Sequence, residues 1–370
     1  MIKEGKFGTF EAVSLMTLLI ITKAFFTSIR VLIKTTGTAA WYTTLISSAG
    51  SLFLFLFVYL LIKRFPGKDL TEIFELTVGK VIGKMLSLIF TAYFIFYSGS
   101  TMREFLEMIK AYTLPYSPPS AIIFLFLLAV VVLSYLGLEA IARVAGICFI
   151  PVVATILLLL FLAYPYYSPD YLTPWMGYGI GKTVTQGLWR SSAYSDVIVL
   201  AFINKSIHGV KHFKKIGVIS ITISGILVSL SIICALMAFN YSQGMENVSS
   251  LYQLSRIIFF NRFFQRIESI FIFTWVISTV INITCVFYCS ISIFCKAFKI
   301  NNHRPLLFPM AFLTFMVALQ AKSLTEVTEI NILFMRQYSV IINYGIPILI
   351  LFIALIFGKK GEGPQSEKAD

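Results

Sequence analysis

Apolar stretches of spanning length recur along the whole chain, each broken by charge or by glycine and proline. They fall at 10–30, 39–62, 82–102, 121–138 and 141–164, then at 186–203, 216–239, 269–293, 305–320 and 338–357. A hydrocarbon layer about 30 Å thick needs roughly 20 apolar residues per helix. Every backbone N–H and C=O in that layer must be paired within its own segment. The pattern therefore predicts an all-α membrane protein with about ten transmembrane helices. Ten spans divide as five plus five, and an odd number per half turns the second half over, the geometry of an inverted repeat. No linker interrupts the series, so one transmembrane domain is expected over 1–357, followed by a polar cytoplasmic tail over 358–370.

Composition agrees with lipid as the solvent. Of 370 residues, 58% are apolar and 13% charged, with a mean hydropathy of +0.86; a soluble domain of that make-up would aggregate. The net charge of +13 invites comparison with nucleic-acid binders. The basic residues, however, are dispersed among short loops and form no arm or stripe, which excludes nucleic acid and favours anionic lipid as the partner surface. Lys63, Arg64, Lys68, Lys205, Lys211, Lys214, Lys215, Lys296 and Lys299 cluster on the side of the N-terminus, and the opposite loops are poorer in such residues. The positive-inside rule then places both termini in the cytoplasm. Lys3 and Lys6 precede a run too long for a signal core and without a small-residue cleavage site, so that run is expected to stay as the first span.

Enzyme signatures are lacking. The five cysteines, Cys148, Cys234, Cys285, Cys289 and Cys295, sit in apolar runs without metal-ligand spacing and read as small hydrophobes. His208, His212 and His303 fall in cytoplasmic loops with no neighbouring acid that would complete a metal-hydrolase motif, and Gly177, Gly179 and Gly181 lack the context of a phosphate loop. No catalysis, cofactor or metal is expected. Two outer loops stand out. Residues 164–178 are crowded with Tyr, Trp and Pro, as in an interfacial belt. Residues 248–266 carry Leu251, Leu254, Ile257 and Ile258 at helical spacing beside Arg256 and Arg262, which predicts a short helix on the membrane surface.

Several landmarks together resemble the B subunit of spore germinant receptors, the GerAB/GerKB-type permease-like family. They are Gly37-Thr-Ala-Ala-Trp41, Phe65-Pro66-Gly67-Lys68, Gly79-Lys80 with Gly83, Leu114-Pro115-Tyr116-Ser117-Pro118, Gly137-Leu-Glu139-Ala-Ile-Ala-Arg143 and Arg266-Ile-Glu268. The resemblance implies an amino-acid-permease fold of the LeuT type, a role in sensing small germinants, and assembly with an A subunit and a C lipoprotein in the spore inner membrane. Family members often carry a Gly and a Pro within span one and a Pro ending span six. Here Ile21-Thr22-Lys23-Ala24 and Ile29-Arg30 occupy the first, and Phe202-Ile203-Asn204-Lys205 the second.

A charge at membrane depth costs about 2.5 to 3.5 kcal/mol on insertion scales, so intramembrane ionisable residues head the candidate ligand-binding set. Lys23, with Thr22 beside it, is deep in span one. It either meets a ligand carboxylate or stands in for a coupling cation, or its stem snorkels toward the Arg30 end. In span six, Arg190-Ser-Ser-Ala-Tyr194-Ser195-Asp196 is a polar stretch suited to an unwound turn. Asp196, its deepest charge, pairs with Lys23 or with Arg190, for binding or for structure alone. By the LeuT resemblance, Tyr97 in span three and Asn282 and Thr284 in span eight join the list, with interhelical packing as their alternative role. Glu139 and Arg143, four apart, read as a structural pair or a subunit contact. Arg103, Glu104 and Glu107 read as a solvated face at the outer end of span three.

Three functional readings stay open. In the first, the chain is a sensing subunit that binds a small nutrient germinant, such as an amino acid, and signals to partner subunits. The second is an amino acid or other small-solute symporter of the same superfamily. The third is a scaffold that binds no ligand.

Overall fold

The computed structural model describes residues 5–207, 209–259 and 267–361. Lys3, His208, Arg262, Arg266, Lys368 and the tail beyond residue 361 lie outside the described residues. The described residues are helical throughout, with no strand.

Span one is two helices, α1 (Thr9–Phe25) and α2 (Ser28–Thr36), parted at Phe26 and Thr27. After a short 3₁₀ turn come α3 (Ala40–Arg64), the short α4 (Leu70–Val78), α5 (Lys80–Tyr112), α6 (Pro119–Leu136) and α7 (Leu138–Leu162). The second half repeats the broken-helix device. Helix α8 (Ile180–Trp189) runs into a 3₁₀ segment (Arg190–Ile198) and then α9 (Val199–Phe202). Next are α10 (Val210–Ala238), α11 (Tyr241–Glu246), α12 (Ser250–Ile257), α13 (Ile267–Phe298) and α14 (Leu307–Gln320). The last span begins with α15 (Leu324–Glu326), passes through π turns at Val327–Ile332, α16 (Leu333–Val340) and π turns at Ile341–Gly345, and ends in α17 (Ile346–Ile356).

Among the described residues seven helical runs are long and apolar enough to cross a bilayer. The other spans expected from the pattern are the ones the structure interrupts or shortens: α1, the α8–α9 pair and α14. Both interruptions form without the Gly and Pro that usually break a helix. Thr27 leaves the first helix because its amide and hydroxyl turn to Glu104 of α5. The 3₁₀ segment of span six tightens around Ser195, whose hydroxyl donates to the Ser192 carbonyl at 2.7 Å.

Two expectations about the ends of spans need correction. Arg103 and Glu104 form no solvated face: they are 5% and 2% exposed, because α5 continues for 33 residues and packs them against neighbouring segments, Arg103 donating to the Ala318 carbonyl of α14 at 3.5 Å and Glu104 accepting from Thr27 at the span-one break. Arg103 pairs with Glu107 at 2.6 Å. Nor does the described part of the 248–266 stretch lie free on a membrane surface. There α12 buries Leu251 and Leu254 against the bundle, Tyr252 stacks on Tyr112 with centroids 4.0 Å apart, and the Ser249 hydroxyl donates to the Phe25 carbonyl at 2.8 Å. An amphipathic helix buries its apolar face against whatever is nearest, here protein instead of lipid. The aromatic loop 164–178 closes over the same end: the Thr38 hydroxyl donates to the Pro174 carbonyl, and Tyr42 to the Trp175 carbonyl at 3.1 Å.

Candidate functional site

The two interruptions face each other inside the bundle. The Lys23 ammonium, at the end of α1, lies 2.8 Å from Asp196 Oδ2 in the 3₁₀ segment of span six. It also donates to the Ala193 carbonyl of the same segment at 2.8 Å and sits 5.8 Å from the centroid of the Tyr97 ring. Asp196 is 4% exposed. At such depth a lone charge would cost several kcal/mol, so each member of the pair makes the other tolerable.

Tyr97 joins this pair to spans one and eight. Its hydroxyl donates to Asp196 Oδ2 at 2.9 Å and accepts from Asn282 Nδ2 at 3.4 Å. The same Asn282 nitrogen donates to the Leu19 carbonyl at 2.8 Å, while Asn282 Oδ1 is buried without a hydrogen-bond partner among the described residues. That oxygen is a ready acceptor for a ligand N–H. The Thr22 hydroxyl donates to the Leu18 carbonyl at 2.6 Å and approaches the Ser278 carbonyl at 3.4 Å. Thus Thr22, Lys23, Tyr97, Asp196 and Asn282 meet in one place. Ser195 does not line the cavity itself; its hydroxyl accepts from Asn343 Nδ2 at 2.8 Å and lies 3.4 Å from the hydroxyl of Ser339, which does. Thr284 is buried on α13 with its hydroxyl unpartnered among the described residues and does not line the cavity at Lys23.

Sequence reasoning missed other residues here. Glu104 lines the cavity with Thr101, Phe26, Tyr93, Met335 and Ser339. A buried carboxylate that accepts from the Thr27 amide at 3.2 Å and its hydroxyl at 2.5 Å satisfies the backbone freed where span one breaks. Asn343, on a π turn of the last span, supports Ser195; π turns recur where a helix is bent to serve a site. The unusual acidic residue within α5 was the signal that could have found Glu104. Nothing in the local sequence marks Asn343.

The free space is small. It is divided by Lys23 into a cavity of about 30 Å³ on the Tyr97 side and another of about 20 Å³ toward Arg190 and Tyr194, each room for a water or two, since about 10 to 15 Å³ of such space holds one. The arrangement is therefore a closed one: admitting anything larger than water requires the spans to separate.

The fold compares well with solved transporters. A Na+-coupled sialic acid symporter, in its substrate-bound outward-open state, superposes with a TM-score of 0.68 at 11% identity, over 97% of this chain and 92% of the symporter. Mhp1, a nucleobase-cation-symport-1 family transporter in a closed conformation with bromovinylhydantoin bound, gives 0.64 at 14% identity, over 93% and 78%. These likenesses show the LeuT-type transporter fold. In sequence, spore germination protein KB of Bacillus subtilis (strain 168) is 22% identical over 326 residues, 87% of this chain and 84% of that protein. Spore germination protein A2 of the same organism is 25% identical over 279 residues, 74% and 75% of the two chains. The spore permease family model, described as spore germination protein, matches residues 6–327. With seven bilayer-length helical runs, a transporter fold and a family match over most of its length, this integral membrane protein belongs to the spore permease family of spore germination proteins.

Proposed function

We propose that the chain is the nutrient-sensing subunit of a spore germination receptor. It binds a small polar germinant, an amino acid or similar solute, between spans one, three, six and eight. Thr22, Lys23, Tyr97, Asp196 and Asn282 make the pocket, with Ser195 and Thr284 behind it. The observation that carries the reading is the Lys23–Asp196 pair at 2.8 Å, held where both helices are interrupted. A zwitterion brings both charges the pair needs: its carboxylate replaces Asp196 at Lys23, and its ammonium replaces Lys23 at Asp196. The exchange keeps every buried charge paired, which is the condition for it to be affordable in a medium without water.

Because the cavities are too small for such a ligand, binding favours a conformation in which spans one and six have moved apart. A ligand with that preference shifts the population of the two states, and the shift is the signal. Partners that receive it would be the A-type subunit and the C lipoprotein suggested by the family, in the spore inner membrane, with both termini of this chain in the cytoplasm. The test is thermal unfolding of the purified receptor complex against a panel of amino acids and nucleosides. A true germinant at about a hundredfold its Kd should stabilise by about 2.7 kcal/mol; no shift across the panel sinks the proposal.

One observation favours a symporter as the second reading: Lys23 holds a fixed positive charge at the span-one break, a place where a coupling cation or proton can act. Concentrative uptake by this chain alone in proteoliposomes would select that reading over the sensor.

A further inference from the structure

At the far end of α13 from the α12 cover, α4 stands opposite the ends of spans six and eight and leaves a cleft of about 310 Å³. That is some tenfold larger than either cavity beside Lys23 and at the lower edge of the range for small-molecule sites. Its walls carry opposite charges in equal number: Asp69, Glu72 and Glu75 on one side, Lys205, Lys296 and Lys299 on the other. Four of these six are already paired. Lys296 lies 3.1 Å from Asp69 and also donates to the Phe202 carbonyl at 2.9 Å; Lys205 lies 2.6 Å from Glu72.

Two are left over. Neither the Glu75 carboxylate nor the Lys299 ammonium has a side-chain partner among the described residues. Thr71, 2% exposed, lines the same cleft with its hydroxyl buried and unpartnered, as is Oε2 of Glu72. The Thr71 hydroxyl can therefore donate to a group that enters the cleft. Lys299 is also the one non-glycine residue with positive φ, 58°, among the described residues, a conformation that side chains resist and that holds its stem at the cleft.

We propose that this cleft is a second binding site, for a small zwitterion whose anionic group meets Lys299, whose ammonium meets Glu75, and which accepts the Thr71 hydroxyl proton in a hydrogen bond. Free amino acids and the headgroup of phosphatidylethanolamine share that chemistry. The site is separate from the Lys23–Asp196 pocket and lies on the side that the basic loops assign to the cytoplasm.

Asn301 lines the cleft and is exposed, which makes Asn301→Cys a reporter. The full chain carrying it is purified in maltoside micelles, and maleimide labelling is timed with L-alanine, with phosphatidylethanolamine, or with neither, the wild-type chain giving the background from native cysteines. Labelling at residue 301 should slow several-fold with one probe, and which one names the source. Lys299→Gln and Glu75→Gln should each abolish the protection, whereas Lys34→Gln, at an exposed lysine in the last turn of α2, should leave it intact. Labelling unaffected by both probes overturns the proposal, and so does protection that survives Lys299→Gln and Glu75→Gln. Lys299 and Glu75 lack side-chain partners, so their replacement leaves folding undisturbed, and a monodisperse elution profile verifies it.

Discussion

One carboxylate oxygen of Glu104 accepts from both the amide and the hydroxyl of Thr27, at 3.2 and 2.5 Å, and so fastens α5 to the point where span one stops being a helix. The residues are 77 positions apart in the chain. That acceptor helps to satisfy a backbone amide where the helix stops in a dry interior.

Glu104→Ala should therefore lower stability by about 1 to 3 kcal/mol, the cost of removing a buried charged acceptor from its donors. Glu104→Gln, which keeps one acceptor oxygen, should lose less. Thermal unfolding of the purified chain ranks the two, and a Glu104→Ala variant as stable as the wild type would show that the contact to Thr27 adds nothing to stability.

The Lys23–Asp196 pair makes a cycle. Lys23→Met or Asp196→Asn alone strands or weakens a buried charge, and breaking such a pair costs about 3 to 5 kcal/mol. The double variant should be less destabilised than the sum of the singles, because neither charge remains. Additive losses would mean that the two groups are not coupled in the folded protein.

Tyr97→Phe removes the hydroxyl that Asp196 and Asn282 share and leaves the ring in place. A germinant dose–response curve in spores carrying it should move about tenfold to higher concentration, the equivalent of about 1.4 kcal/mol, with receptor levels unchanged on immunoblots. An unmoved curve would take Tyr97 out of the pocket.

Gly83 lets α5 lie directly on α4. A Cβ there would sit 2.7 Å from the Glu75 amide nitrogen and 2.8 Å from its Cα, atoms of a backbone that cannot swing aside. Gly83→Ala should cost about 1 to 3 kcal/mol, as overpacking does. Gly79→Ala is a contrasting case: nothing crowds a Cβ there, and its strain comes only from φ of +88°. A stability scan in which Gly83→Ala is silent would show that α4 is free to shift.

Topology can be read with reporter fusions at Lys211 and Lys299, which should report the same, cytoplasmic side. Opposite sides would reverse one half of the span order and separate the two interruptions that form the pocket.

The spans were legible in the chain because lipid imposes one rule on each segment independently: about 20 apolar residues with their backbone paired internally. Lys23 and Asp196 were legible for the same reason, since a charge inside such a segment is costly wherever it occurs. What the segments do to each other was not. Glu104 looked like part of a wet helix end until the break of span one met it at Thr27, and α12 itself looked like a lipid-facing helix until its leucines met the bundle. Asn343 carries no local mark at all; it matters through Ser195, 148 residues away. Composition and periodicity by themselves determined the solvent, the class of fold and the rare buried charges. Only the tertiary structure decided where two helices stop and which side chains take over their freed hydrogen bonds, because those partners come from distant segments and no rule acting on one segment can choose them.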